Sequence, residues 1–221
     1  MARLTDTQLI RTYLENNVGG ILDVSYDSLR VFNSIPLSNL RKYIARFVDD
    51  GSLRKISKGI YAIGGNKEDD KIRILKHYVG NGCGIPCGKT LLRNLGLISK
   101  YSGVEQYLTN KTIGKKNIEE FGIQLISTKS LFMPNDVKGI QMAIDLIANK
   151  NNVDKEKVIE FNELIFGFLK NYTNQKFQVD CEIRYSRDTY LALDMYLKAM
   201  GISNQVMDIY ESKARVHVNK Q

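Results

Sequence analysis

The chain has 221 residues, 43% hydrophobic and 25% charged, with a formal net charge of +8. That composition belongs to an ordinary soluble globular protein and excludes wholesale disorder, and three prolines without a Gly period exclude fibrous classes. No apolar run approaches the ~20 residues of a membrane span, and the opening MARLTDTQLIRTYLENN is too polar for a secretory signal, so the cytoplasm is the expected compartment.

Thr5-Asp6-Thr7-Gln8 has the form of a capping box, and Leu9, Ile10, Tyr13 and Leu14 follow at helical spacing. Gly19-Gly20 is expected to end that helix. ILDV at 21–24 suits a short strand. Ser25 is a cap candidate for a second short helix carrying Leu29 and Phe32. Pro36 suits the first turn of a third helix, which runs to Asp50 and stops at Gly51. SLRKI (52–56) and IYAI (60–63), joined by Ser57-Lys58-Gly59, read as a hairpin. Helix, strand, helix, helix, hairpin is the order of a winged helix-turn-helix module, assigned to residues 1–66. GGNKEDDK (64–71) is polar and Gly-rich and reads as a linker.

A larger mixed α/β domain is expected over 69–221, which makes the fold class α+β. Helices are expected at 71–79, 89–95 (ended by Gly96), 137–148 and 158–169, the last with Asp154 as a cap candidate. EQYLT (105–109) and IQLIS (123–127) look like strands. Residues 177–183 alternate weakly and suit a strand or loop. Ser186 is expected to cap a final long helix through Met200, stopped by Gly201.

The charge is uneven. Residues 1–116 carry 19 Lys/Arg against 10 Asp/Glu, and 117–221 carry 13 against 14. Such asymmetry points to a polyanion partner on one side. At about 100° per residue, Leu37, Leu40, Ile44, Phe47 and Val48 share one stripe of the third helix. Lys42 and Arg46 lie opposite, flanked by Ser38 and Asn39, with Arg41 near the edge of the stripe. Asn can pair with adenine, Arg or Lys with guanine, and Ser or Lys can hold phosphate. Arg54, Lys55 and Lys58 on the hairpin are expected to meet the DNA backbone. Lys89 and Arg93 are candidates for additional phosphate contacts. Asp49 and Asp50 sit at the far end of the helix, which in groove readers points away from the bases.

RFVDDGSLRKISKGIYAI (46–63) resembles the winged-helix ending of AbiEi-type antitoxins of bacterial type IV toxin–antitoxin systems. The matching positions are Phe47, Val48, Gly51, Leu53, Arg54, Ile56, Lys58, Gly59, Ile60 and Tyr61. GIPCGKTLLRNLGLISKYSGVEQYLTN (84–110) is similar to the opening of that family's C-terminal domain, and the resemblance covers most of residues 1–130. It implies an N-terminal domain that binds inverted repeats of its own promoter and represses the operon. It also implies a C-terminal domain that counters an AbiEii-type nucleotidyltransferase toxin without forming a stable complex.

Other motifs carry less. Gly88-Lys89-Thr90 resembles the end of a P-loop, but Cys83 stands where a P-loop needs Gly, so a phosphate held at that basic helix N-terminus or a plain turn are the remaining readings. Cys83, Cys87 and Cys181 suit neither a disulfide framework nor a zinc site, and small buried thiols are expected. His77 reads as a surface or boundary residue, and His217 lies near the end of the chain. Glu119-Glu120 reads as solvated, and most tyrosines as core or boundary rings. No catalytic constellation, metal site or cofactor is expected, so the chain is read as a non-enzyme. A ligand-sensing winged-helix repressor and a nucleic-acid-processing enzyme with a winged-helix accessory domain are the alternatives.

Overall fold

The computed structural model describes residues 5–133 and 135–218. The chain is an α+β protein with ten α-helices and two small sheets among those residues.

The first lobe opens with α1 (Asp6–Asn16). Thr5 accepts from the Gln8 amide while the Gln8 side chain reaches back to the Thr5 amide, so the expected capping box forms. Ile10 and Leu14 point inward. β1 (Ile21–Asp23) runs straight into α2 (Val24–Asp27). Asp23, and not Ser25, caps α2: its carboxylate accepts from the amides of Ser25 and Tyr26. That helix lasts four residues, so Leu29 ends up 67% exposed while Phe32 is buried.

α3 (Leu37–Asp49) buries Leu40, Ile44 and Phe47. Leu37, expected in the same stripe, is 41% exposed, because the first turn of the helix overhangs a cleft and not the core. Gly51 takes φ +80° and turns the chain into β2 (Leu53–Ser57) and β3 (Ile60–Ile63). The three strands form an antiparallel sheet in the order β1-β3-β2, with Leu22 opposite Tyr61 and Arg54 opposite Ala62.

The polar run 64–71 is not a free tether. It makes one turn of 3-10 helix and enters α4 (Asp70–Tyr78). Asp70, 1% exposed, takes a two-pronged ion pair from Arg54 of β2. Arg73 donates to the Gly64 carbonyl at 2.7 Å. A hydrophobic cluster also spans the segment, packing Ile21 and Ile60 against Ile74, Tyr78, Tyr107, Ile118, Ile123 and Leu125. Separation at residue 66 would uncover Ile21 and Ile60.

The second lobe carries β4 (Gly84–Pro86), α5 (Gly88–Asn94), β5 (Glu105–Thr109), β6 (Lys115–Ile118) and β7 (Ile123–Ser127). Its sheet order is β4-β5-β7-β6, with β5 and β7 parallel and both edges antiparallel. β4 and β6 are short, polar or Pro-containing edge strands that give almost no alternating signal. Five helices complete the lobe: α6 (Asn135–Ala148), α7 (Val158–Leu169), α8 (Asn174–Asp180), α9 (Arg187–Ala199) and α10 (Val206–Val218). They bury a second core around Ile140, Ile144, Ile165, Phe177, Tyr190 and Leu193.

Three expectations need correction here. Residues 177–180 end a helix and not a strand or loop, since Thr173 caps α8 and Phe177 alone anchors it. α9 is not the last helix. Asp154 does not cap α7; its carboxylate accepts from the Ser99 amide at 2.7 Å. Among the described residues no helix is long and apolar enough to cross a membrane.

The Arg54–Asp70 pair generates a stability prediction. Removing one partner of a buried pair costs several kcal/mol, less here because Arg54 is 34% exposed. Arg54→Ala should cost about 2 kcal/mol and lower Tm by roughly 4–8 °C by calorimetry. An unchanged Tm would show that the pair does not hold β2 to α4.

Candidate nucleic-acid interface

Ser38, Asn39, Arg41, Lys42 and Arg46 all lie exposed on α3. Burial of Leu40, Ile44 and Phe47 forces them outward, because the helix has one apolar stripe and the opposite face must meet solvent. The Arg46 guanidinium sits over the Tyr43 ring, 5.8 Å from its centroid, which orients it along the helix surface.

Beside this face lies a cleft of about 810 Å³. Its walls come from three places. Leu37 and Arg41 belong to α3, Lys58 and Gly59 to the hairpin tip, and Ile113, Lys115 and Lys116 to the second lobe. Among the described residues that line it there is no carboxylate. Gly59 turns at φ +76°, and its carbonyl accepts from the Val24 amide at 2.9 Å. The Ser57 hydroxyl donates to the Asn117 carbonyl at 3.3 Å. The hairpin is therefore tied to α2 on one side and to β6 on the other.

Beneath the cleft sits a buried acidic cluster. Asp23 is fully buried; one of its oxygens accepts from the Tyr78 hydroxyl at 2.8 Å and the other from Lys116. Lys116 also donates to the Ser25 hydroxyl at 2.7 Å. Asp27, 4% exposed, accepts from the Asp23 amide at 2.8 Å. Burial pushes the Asp27 carboxyl up to about 6, and the Asp23 charge adds to that rise. Burial also holds the His77 imidazole down to about 4, with Lys111 adding to the depression.

The candidates from the sequence divide into two groups. The α3 residues, Lys55 and Lys58 are exposed, and Arg41 and Lys58 share the cleft. Arg54 is not available in the same way, because its guanidinium is committed to Asp70. Arg93 is paired with Glu105 at 3.2 Å. Lys89 is exposed, but neither it nor Arg93 lines the cleft. The N-terminus of α5 is closed to a phosphate, since the Gly88 amide donates to the buried Asp145 carboxylate at 2.7 Å. Lys115, Lys116 and Ile113 were missed by the sequence reading. The adjacent lysines in KTIGKKN were the available signal, but their approach to the hairpin depends on a contact about sixty residues apart in the chain.

The remaining motifs are quieter. Cys87 and Cys181 are buried and Cys83 half-buried, all as free thiols. Glu119 and Glu120 are exposed, and Glu120 pairs with Lys67. Among the described residues no cluster of His, Cys, Asp or Glu could hold a metal. The His217 side chain lies outside the described residues.

No family model matches the chain, and no curated protein sequence is similar to it. Among solved structures, the RV2827C protein from Mycobacterium tuberculosis is similar over 89% of this chain and 79% of its own. The identity is 9% and the TM-score 0.32, too loose a likeness to fix a fold or a function.

The cluster predicts a pH dependence. Between pH about 4 and 6 the folded protein keeps a proton on Asp27 that the unfolded chain releases, so this group's contribution to stability falls as pH rises through that window. His77 acts in the opposite sense, because between about 4 and 6.5 the unfolded chain binds a proton that the folded protein does not. Asp27→Asn isolates the first effect. It should raise stability by about 1–3 kcal/mol at pH 7 and change little near pH 4, read from urea midpoints. A gain of equal size at both pH values would remove the titration of Asp27 as the cause.

Proposed function

We propose that this chain binds double-stranded DNA through α3 and the β2–β3 hairpin, which together act as a winged helix-turn-helix. The observation that supports this best is one continuous basic surface. The exposed α3 face of Ser38, Asn39, Arg41, Lys42 and Arg46 leads into a carboxylate-free cleft bearing Lys58 and Lys115. An amphipathic helix needs only a polar outer face. It does not need a second lobe to bring further cations to the same edge while its own acids, Asp49 and Asp50, lie at the far end.

In this reading Asn39 and Arg46 face base edges, and Arg41, Lys42, Lys58 and Lys115 hold phosphates. Lys116 acts indirectly: its charge is spent on Asp23, and it fixes the wall from which Lys115 projects. Arg54 positions the hairpin and makes no DNA contact.

The wider role rests on the resemblance of residues 46–63 and 84–110 to AbiEi-type antitoxins. On that basis the chain is a cytoplasmic repressor of its own operon, acting at inverted repeats. Its second lobe, apart from the Lys115 edge, counters an AbiEii-type nucleotidyltransferase toxin without a stable complex. It works without a cofactor and is not an enzyme.

Salt dependence and base discrimination test the DNA-binding reading. With about four phosphates neutralised per protomer and two protomers on an inverted repeat, the slope of log K against log salt should be roughly −7. Lys115→Ala should weaken all duplexes alike and flatten the slope by about two. Arg46→Ala should cost about 1–3 kcal/mol and relax preference at one base pair per half-site. Binding indifferent to salt, or an Arg46→Ala loss equal on every operator variant, would remove the phosphate and base-reading roles respectively.

A further inference from the structure

A second pocket lies between the lobes at the opposite end of β1 from the basic cleft. It is an open pocket of about 430 Å³, within the range of small-molecule sites. Asn17 and Gly20 line it from the first lobe, and Lys76, His77, Asn81 and Lys111 from the second. We infer that this pocket binds a small phosphate-bearing anion, either free phosphate or the phosphate of a compact ester.

Three independent observations carry the inference. The first is charge. Arg73, Lys76 and Lys111 all line the pocket, and no carboxylate does among the described residues. Arg73 is offset by Asp69 and Asp70, at 3.7 and 3.8 Å. Lys76 and Lys111 are in no ion pair among the described residues. Lys111 also acts through space on the buried Asp27, so its charge is partly offset, but Lys76 has no such acid among the described residues, and the lining as a whole is cationic, which favours an anion there.

The second observation is an unmet hydrogen bond. The Nε2 atom of His77 is buried and has no partner among the described residues. Leaving such a group unpaired costs free energy. Depressed basicity keeps the ring neutral at physiological pH, so His77 can present an N–H to an oxygen without adding a charge. The His77 ring lines the pocket, so an anion held by Lys76 and Lys111 would lie beside the residue that carries this unmet bond.

The third observation is the backbone. The run Gly80-Asn81-Gly82-Cys83-Gly84 borders this pocket through Gly80, Asn81 and Cys83. Asn81 takes φ +52° and Gly82 φ +70°, so the loop turns sharply at the pocket mouth. The Asn17 side-chain nitrogen already donates to the Tyr13 carbonyl at 2.7 Å, which leaves its carbonyl oxygen and the Asn81 side chain to meet hydroxyl groups, as suits a hydroxyl-bearing ester. Among the described lining residues the only aromatic ring is that of His77, so nothing selects a nucleobase.

The test compares small phosphates with chloride and with a DNA duplex. The chain has two histidines, so imidazole proton–carbon spectra of the full-length protein are simple, and His77→Gln assigns the signal. Inorganic phosphate and glycerol phosphate are each titrated to roughly 20 mM, where a millimolar site is filled, against sodium chloride at matched ionic strength. The His77 resonance should move saturably with at least one of the two phosphates and not with chloride. A response to both assigns the phosphate group alone as the determinant, and a tighter response to glycerol phosphate assigns an ester. Lys111→Ala, with wild-type circular dichroism, should weaken the response by about tenfold or more. A linear or chloride-matched response, or one unchanged by Lys111→Ala, overturns the inference. So does a shift seen only with a DNA duplex, which would extend the nucleic-acid face into this pocket.

Discussion

The buried carboxylate of Asp23 is the constraint on which the relation between the two lobes rests. A fully buried charge is costly unless its oxygens are filled, and here the partners come from three different elements. The Ser25 and Tyr26 amides start α2, the Tyr78 hydroxyl ends α4, and Lys116 belongs to β6. Satisfying this one group fixes where the first helix pair ends, where the second lobe docks and which way the 111–117 segment faces. The Arg54–Asp70 pair repeats the device on the other edge of the same sheet. Between the two pairs runs the apolar seam of Ile21, Ile60, Ile74 and Tyr78.

Arg54 and Lys116 are paired with buried acids, while Arg41, Lys42, Lys58 and Lys115 lie on the edge that carries α3 and the hairpin. Asp23 and Asp27 sit behind that edge, not on it. They keep the local field moderate without offering a carboxylate to compete for phosphate.

The elements most legible in the sequence are those whose causes are local. The Thr5–Gln8 box, the turn glycines at 51 and 59 and the stripe of Leu40, Ile44 and Phe47 each depend on residues within one or two turns. Elements stabilised from afar were not legible. α8 holds by one aromatic, Phe177, whose ring neighbours are Tyr172 just before the helix and Tyr190 of α9. β6 reads as polar loop because it is an edge strand with one buried residue. The same distinction divides the candidate site. Outward residues of α3 follow from periodicity, whereas Arg54 looks like a wing cation until Asp70, inside what reads as a linker, claims it. Lys115 joins the face only through tertiary contacts of the hairpin with β6.

The hairpin tip described above is held at both flanks, by the Val24 amide and by Asn117. A wing in that state is preorganised: its conformational entropy is lost on folding, not on binding. The same fixation makes the helix and the hairpin a rigid caliper, with a span set by the fold. On the proposed DNA-binding reading, such a caliper has little capacity to follow a groove that widens or bends, so adaptation would fall to the DNA, whose deformability would then contribute to selectivity at positions no side chain reaches.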